Sequence, residues 1–180
     1  MFRKILLMSI LPLMLQDILC QKVITEDTIP DSLIIISSTD EMDGKTTIYP
    51  SKSIFCVNEN ETIGFKICPF IEPDFSIKDL YVKMFNIGNC AENNELILLL
   101  DDGSRIIIKS WNKFNCDGVT YFRLNQKDKS LLRTRKIIKA KVTNGYSFDS
   151  FTGEVDSNQQ DYFIKIAKML DLNQFFVLKK

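Results

Sequence analysis

Two strand-length segments with apolar centres, Leu96 to Leu100 and Arg105 to Ser110, flank Asp101-Asp102-Gly103-Ser104, and no other stretch limits the possible folds as strongly. Asp-Gly between strand-length apolar segments predicts a hairpin with a two-residue type I′ turn, in which both central residues take positive φ. With Asp102-Gly103 at the tip, Asp101 pairs with Ser104, Leu99 with Ile106 and Leu98 with Ile107. Consecutive apolar residues on both strands predict a sheet covered on both faces, one of them by helices or a second sheet.

The remaining segments extend this β pattern. Leu33 to Ser37, Thr46 to Tyr49, Ile54 to Val57 and Thr62 to Ile67 have strand length and β-branched or aromatic content, with turns at Asp43-Gly44 and Asn58 to Asn60. Pro69 and Pro73 mark a connection, after which strands are expected near Leu80 to Ile87, Val119 to Leu124, Ile137 to Thr143 and Phe151 to Val155. A short helix is expected from Gln126 to Arg133. A longer one begins with Ser157 as N-cap and Gln160 three residues on, the spacing of a capping box. Its residues Phe163, Ile166, Ala167 and Leu170 share one face, while Asp161 and Lys165 pair at i,i+4. Phe175 to Lys180 either adds a strand or stays loose. The fold class is therefore α+β, mainly β: an antiparallel sheet or sandwich-like core with one short helix and a C-terminal helix packed on it.

Residues 1–20 carry a different signal. Arg3 and Lys4 precede an apolar run from Ile5 to Leu15 that is shorter than the roughly 20 residues of a membrane span, and Pro12 would disturb a permanent helix. This is the pattern of an export leader. Two processings compete at its end: cleavage after Cys20, or lipid attachment to Cys20 as the first mature residue. Asp17 and Leu19 fit a lipoprotein box poorly, which favours release into the periplasm or beyond and keeps the membrane as a partner only if Cys20 is acylated. Residues 21–180 then form a single disulfide-stapled domain, with N-terminal strands over 21–75 and a better-specified half over 76–173. Removing the leader takes the balance from 23 cationic and 23 anionic residues to 21 and 22. Near neutrality argues against a general nucleic-acid binder.

Export also fixes how the cysteines are read. With Cys20 spent, Cys56, Cys68, Cys90 and Cys116 remain, an even number in an oxidising compartment, and two disulfides are expected. Three pairings are possible. Cys56 with Cys68 and Cys90 with Cys116 are favoured because each pair brackets a candidate hairpin, and each closure would stabilise by about 3 kcal/mol. No two cysteines have the C-x₂₋₄-C spacing of a structural zinc site. The chain contains no histidine, which removes Ser-His-Asp, Cys-His and HExxH chemistry together. A carboxylate-pair glycosidase or a serine-lysine dyad survives in principle without a local signature. No cofactor motif is present.

Three further clusters bear on function. Asp101-Asp102 with Glu95, and Asn115-Cys116-Asp117-Gly118, read first as turns and only second as cation ligands, since neither has an EF-hand spacing. Arg133, Arg135, Lys136, Lys139 and Lys141 lie within nine residues. They form either an anion-binding patch or a solvated face whose lysines discourage edge pairing. Trp111, beside Asn112 and Phe114, reads as a core residue, with a carbohydrate-stacking platform as the alternative.

The order Leu99-Leu100-Asp101-Asp102-Gly103-Ser104, Asn115-Cys116-Asp117-Gly118 with Tyr121 and Leu124, Leu132 and Thr134 before Lys136-Ile137, then Val142-Thr143-Asn144-Gly145, resembles small exported proteins of uncharacterised function from Bacteroidetes-type bacteria. The likeness covers about residues 80–170. It implies a periplasmic or surface location and a disulfide between Cys90 and Cys116, and it brings no catalytic residues. The expected function is a non-enzymatic accessory or binding protein of the bacterial cell envelope, its partner a protein or an envelope glycan. The alternatives are a small glycan hydrolase and an inhibitor or immunity-type protein that binds a co-secreted partner.

Overall fold

Alternating burial along the strands shapes the protein in the computed structural model, which describes residues 33–88, 90–111 and 115–179. The expected leader with Cys20 lies outside the described residues, as do Asn112 and Phe114. In chain order the described elements are β1 (Leu33–Thr39), β2 (Thr46–Pro50), β3 (Ile54–Val57), β4 (Gly64–Ile71), β5 (Ile77–Phe85), β6 (Glu95–Leu100), β7 (Arg105–Lys109), β8 (Val119–Arg123), α1 (Gln126–Thr134), β9 (Ile137–Thr143), β10 (Ser150–Glu154), α2 (Tyr162–Asp171) and β11 (Phe175–Lys179). The fold is α+β and mainly β.

Two sheets share the strands. One runs β11-β1-β2-β4-β5-β8 with β3 paired to β4, and the other runs β10-β9-β6-β7. Pairing is antiparallel except where β11 lies parallel to β1, so the tail does add a strand. The sheets meet at both sides. A bridge between Ser110 and Phe122 joins β7 to β8, and β10 lies against β3 and β4. The result is a flattened barrel filled by Phe65, Ile67, Leu80, Val82, Leu96, Leu98, Leu100, Ile106, Phe122 and Val142. A second cluster, Ile35, Ile48, Ile71, Ile166 and Leu170, holds α2 against β1, β2 and the end of β4.

The hairpin forms with a different register. Leu98 pairs with Ile106 and Leu96 with Ile108, because the loop has three residues and only Gly103 takes positive φ, at 81°. Asp102 fixes that turn by accepting from the Ser104 amide at 2.9 Å and its hydroxyl at 2.6 Å. These bonds hold the Asp102 carboxyl below the usual carboxylate range. A one-residue slip would turn buried side chains outward; the observed register puts Leu96, Leu98, Leu100, Ile106 and Ile108 together inside. Nor is the outer face of this sheet covered as expected: Ile107 is 60% exposed.

Two other expectations are corrected locally. Pro69 lies within β4, paired with Leu80, in the gap between Ile67, paired with β3, and Ile71, paired with β2. On that edge no partner awaits an N–H. Helix α2 starts at Tyr162 after Asp161 rather than after Ser157. Gln160 donates to the Val155 carbonyl at 3.2 Å, and Asp156 accepts from the Asn158 amide at 3.1 Å, so residues 156–161 form turns. The Asp161–Lys165 ion pair is present at 2.9 Å.

Cys90 and Cys116 are joined by a disulfide, whereas Cys56 and Cys68 are free and buried. The second expected bridge is excluded by strand geometry. Cys56 sits opposite Phe65 on β4, so Cys68, three residues further along, projects from the other face of the sheet, and thiols on opposite faces cannot bond. Cys56 points inward, where Gly153 packs so tightly that a Cβ there would lie 2.9 Å from the Cys56 Cβ.

Burial pushes the Cys56 thiol up to about 12 and the Cys68 thiol up to about 11, from an ordinary 9.0. Both stay neutral in the folded protein while the unfolded chain ionises them above pH 9. The stability they contribute is complete below pH 9 and is lost as pH rises through 11 to 12. Alkylation at pH 8 without reductant should therefore leave both unlabelled until denaturant is added, and Cys56→Ala should flatten the alkaline fall in stability. Labelling of either thiol in the native protein, or an unchanged alkaline limb in the variant, would contradict this placement.

Candidate functional site

Side chains that alternate away from the barrel interior on β3, β4, β5 and β8 build one outer face. The register sets it out in rows. Phe55, Lys66, Lys83 and Val119 form the first; Cys68, Tyr81 and Tyr121 the second; Phe70, Asp79 and Arg123 the third. Rows are about 6.6 Å apart along the strands and neighbours about 4.8 Å apart across them.

Trp111 joins this face rather than the core. The bridge at Ser110 carries the chain across to β8, and the Trp111 amide donates to the Tyr121 carbonyl at 3.1 Å. The indole lies 5.5 Å from the Tyr121 ring, tilted by 32°, and the Arg123 guanidinium carbon is 5.5 Å from the indole centroid. Trp111 remains 53% exposed. Tyr121 also meets Tyr81 edge to face at 5.6 Å and Phe70 at 6.3 Å. Partial burial pushes both phenols up, so they stay neutral at physiological pH. Phe55, at the head of the first row, is 48% exposed.

Polar groups complete the face. Asp79 is only 3% exposed, and its Oδ1 has no hydrogen-bond partner; Arg123 Nε stands 3.7 Å away. Lys66 and Lys83 are directly opposite each other.

The cationic residues Arg133, Arg135, Lys136, Lys139 and Lys141 are spread over several surfaces. Arg133 on α1 donates to Asp171 at the end of α2 at 2.7 Å, Arg135 pairs with Asp102 at 3.1 Å and Lys139 pairs with Glu154 at 3.1 Å. Lys139 and Lys141 share the outer face of the smaller sheet beside Leu99 and Ile97. Three of the five are thus matched to carboxylates. Asn115-Cys116-Asp117-Gly118 is a turn: Asn115 donates to the Val119 carbonyl at 2.8 Å, and Gly118 takes φ 70°. A Cβ at Gly118 would stand 2.7 Å from the Met84 carbonyl oxygen.

A cavity of about 310 Å³ lies between α1, α2 and β5, lined by Ile77, Leu124, Lys129, Arg133 and Phe163. A shallow depression beside the disulfide is lined by Glu61, Asn86 and Asp117. Among the described residues no cluster of three or more acidic or cysteine side chains forms a metal site, and no helix is long and apolar enough to cross a membrane.

Sequence reasoning singled out Trp111 but missed its companions. Tyr81 and Tyr121 each stand between buried neighbours, Leu80 and Val82 or Thr120 and Phe122, and that alternation was the available signal. The fold and this face define a mainly β protein with a partly exposed aromatic surface carried on a sheet. No family model, curated protein or solved structure matches the chain.

Proposed function

We propose that this is an exported, non-enzymatic binding protein of the bacterial cell envelope whose ligand rests on the aromatic face of β3, β4, β5 and β8. The observation that carries the reading is Trp111, which stays half exposed although it stacks on Tyr121 and lies beside Arg123. An indole left in water forgoes the burial that most of its surface would gain in a core, and a ligand recovers it. The ring is held by its stacking on Tyr121 and its contact with Arg123, so less side-chain freedom is lost on binding. Export is supported by the leader pattern of residues 1–20, by the Cys90–Cys116 disulfide and by the likeness to small exported proteins of Bacteroidetes-type bacteria.

Separated polysaccharide, lipid and protein fractions of the cell envelope, each immobilised, test this reading with the purified exported protein. One fraction should retain it. Retention should fall at least about tenfold for Trp111→Ala, a loss of more than about 1.4 kcal/mol, and should be unchanged for Ile107→Ser on the opposite sheet. Equal retention of Trp111→Ala, or retention by none of the fractions, would overturn the proposal.

A further inference from the structure

Resting on that reading, we infer that the aromatic face takes an acidic oligosaccharide, a chain of sugar rings carrying carboxylate groups. Three features of the face point there together.

The first is its shape. Phe55 and Trp111 are exposed and Phe70, Tyr81 and Tyr121 are half-buried, the five rings being spread over the three rows, about 13 Å along the strands. The C–H faces of pyranose rings stack on such a strip as apolar surfaces do, while their hydroxyls stay at the edges.

The second is its charge. Lys66 and Lys83 are cross-strand neighbours of the same sign, an arrangement that costs stability in a sheet unless an anion lies between them. Neither forms an ion pair with another described residue, in contrast to Arg133, Arg135 and Lys139. Arg123 adds a third cation, whose side chain is 65% exposed. Among the described residues of the three rows Asp79 is the one carboxylate, so these rows are cationic although the chain as a whole has no net charge.

The third is the Asp79 carboxylate. It is sealed under Arg123, yet its Oδ1 lacks a hydrogen bond and the guanidinium Nε is 3.7 Å away, too far for one. A buried acceptor left in that state is costly. A ligand bearing both carboxylate and hydroxyl groups resolves it: Arg123 turns to the ligand carboxylate as a charge-assisted donor, and a sugar hydroxyl donates to Asp79. A polyphosphate or a lipid headgroup would satisfy the cations and leave the rings idle. Single-stranded nucleic acid would use both rings and cations, and its base N–H groups are donors for Asp79 as well, so an oligonucleotide is the competing ligand in the test.

The sole tryptophan of the chain is the reporter. Its fluorescence would be followed as the exported protein is titrated with tetragalacturonic acid, with a hexamer of mannuronic acid, with the methyl ester of the first, and with the oligonucleotide dT12. A saturable change is expected with at least one of the two acids, with the methyl ester at least about tenfold weaker. Lys66→Met/Lys83→Met should weaken the acid by about tenfold and leave the ester unchanged, at a melting temperature equal to or above that of the parent, since the like-charge repulsion is removed. Equal affinity for acid and ester, binding of dT12 alone, or no response to either acid would overturn the assignment of ligand class. The binding face itself would still stand if an envelope fraction retained the protein in a Trp111-dependent way, so the two failures are separable.

Discussion

Asn144→Ala is expected to lower the free energy of unfolding by about 4 kcal/mol. The side chain is fully buried and uses both ends. Its amide donates to the Ile87 carbonyl at 3.0 Å and the Cys90 carbonyl at 2.5 Å, and its oxygen accepts from the Tyr146 and Ser147 amides at 2.9 and 3.3 Å. One residue thus ties the loop after β5 to the turn after β9. Removing it strands backbone groups away from water, and at roughly 1 kcal/mol for each lost bond the four together give that figure. Denaturant unfolding followed by circular dichroism measures it. A loss below about 1 kcal/mol would mean that water or a neighbour replaces these bonds. Asn144→Asp should also be costly, since a carboxylate cannot donate to the two carbonyls.

Replacing Cys90 and Cys116 together by alanine is expected to cost about 3.5 kcal/mol, the chain-entropy value for a loop of this size, given a sequence separation of 26. The bridge closes the segment that contains β6, β7 and the Trp111 crossing, so the loss should appear both as lower stability and as a looser indole environment, visible in the near-ultraviolet spectrum. Because Asn144 bonds the Cys90 carbonyl, the two changes should not add. The triple variant should lose less than the two separate losses combined. Full additivity would show that the bridge and the buried amide act independently.

Much of the architecture was legible in the sequence, because burial follows the strand and helix periods. The bounds of β3 and β9 are those expected from Ile54 to Val57 and Ile137 to Thr143, and α1 begins at Gln126, where Asn125 caps it by accepting from the Asp128 amide at 2.9 Å. What escaped was information that local residues do not hold. Asp102-Gly103 suits a two-residue turn, but the choice of a three-residue loop was made by core matching across β6 and β7. Cys56 and Cys68 bracket a hairpin, yet the side on which each falls depends on a register that the turn did not declare. Trp111 could be read as core or platform until the bridge between Ser110 and Phe122 placed it beside Tyr121. The candidate site is spread over β3, β4, β5, β8 and the Trp111 segment, so no contiguous motif could announce it.

The parallel pairing of β1 with β11 has a mechanical consequence. Leu33 lies beside Phe175 and Ser37 beside Lys179, so force applied between residue 33 and residue 179 slides the two strands lengthwise. Every ladder bond of the pair then bears load at once, instead of the bonds opening singly as they do when a hairpin is peeled from its end. Load applied across residues 33 and 179, whether by a tether or by a partner, would meet this clamp first.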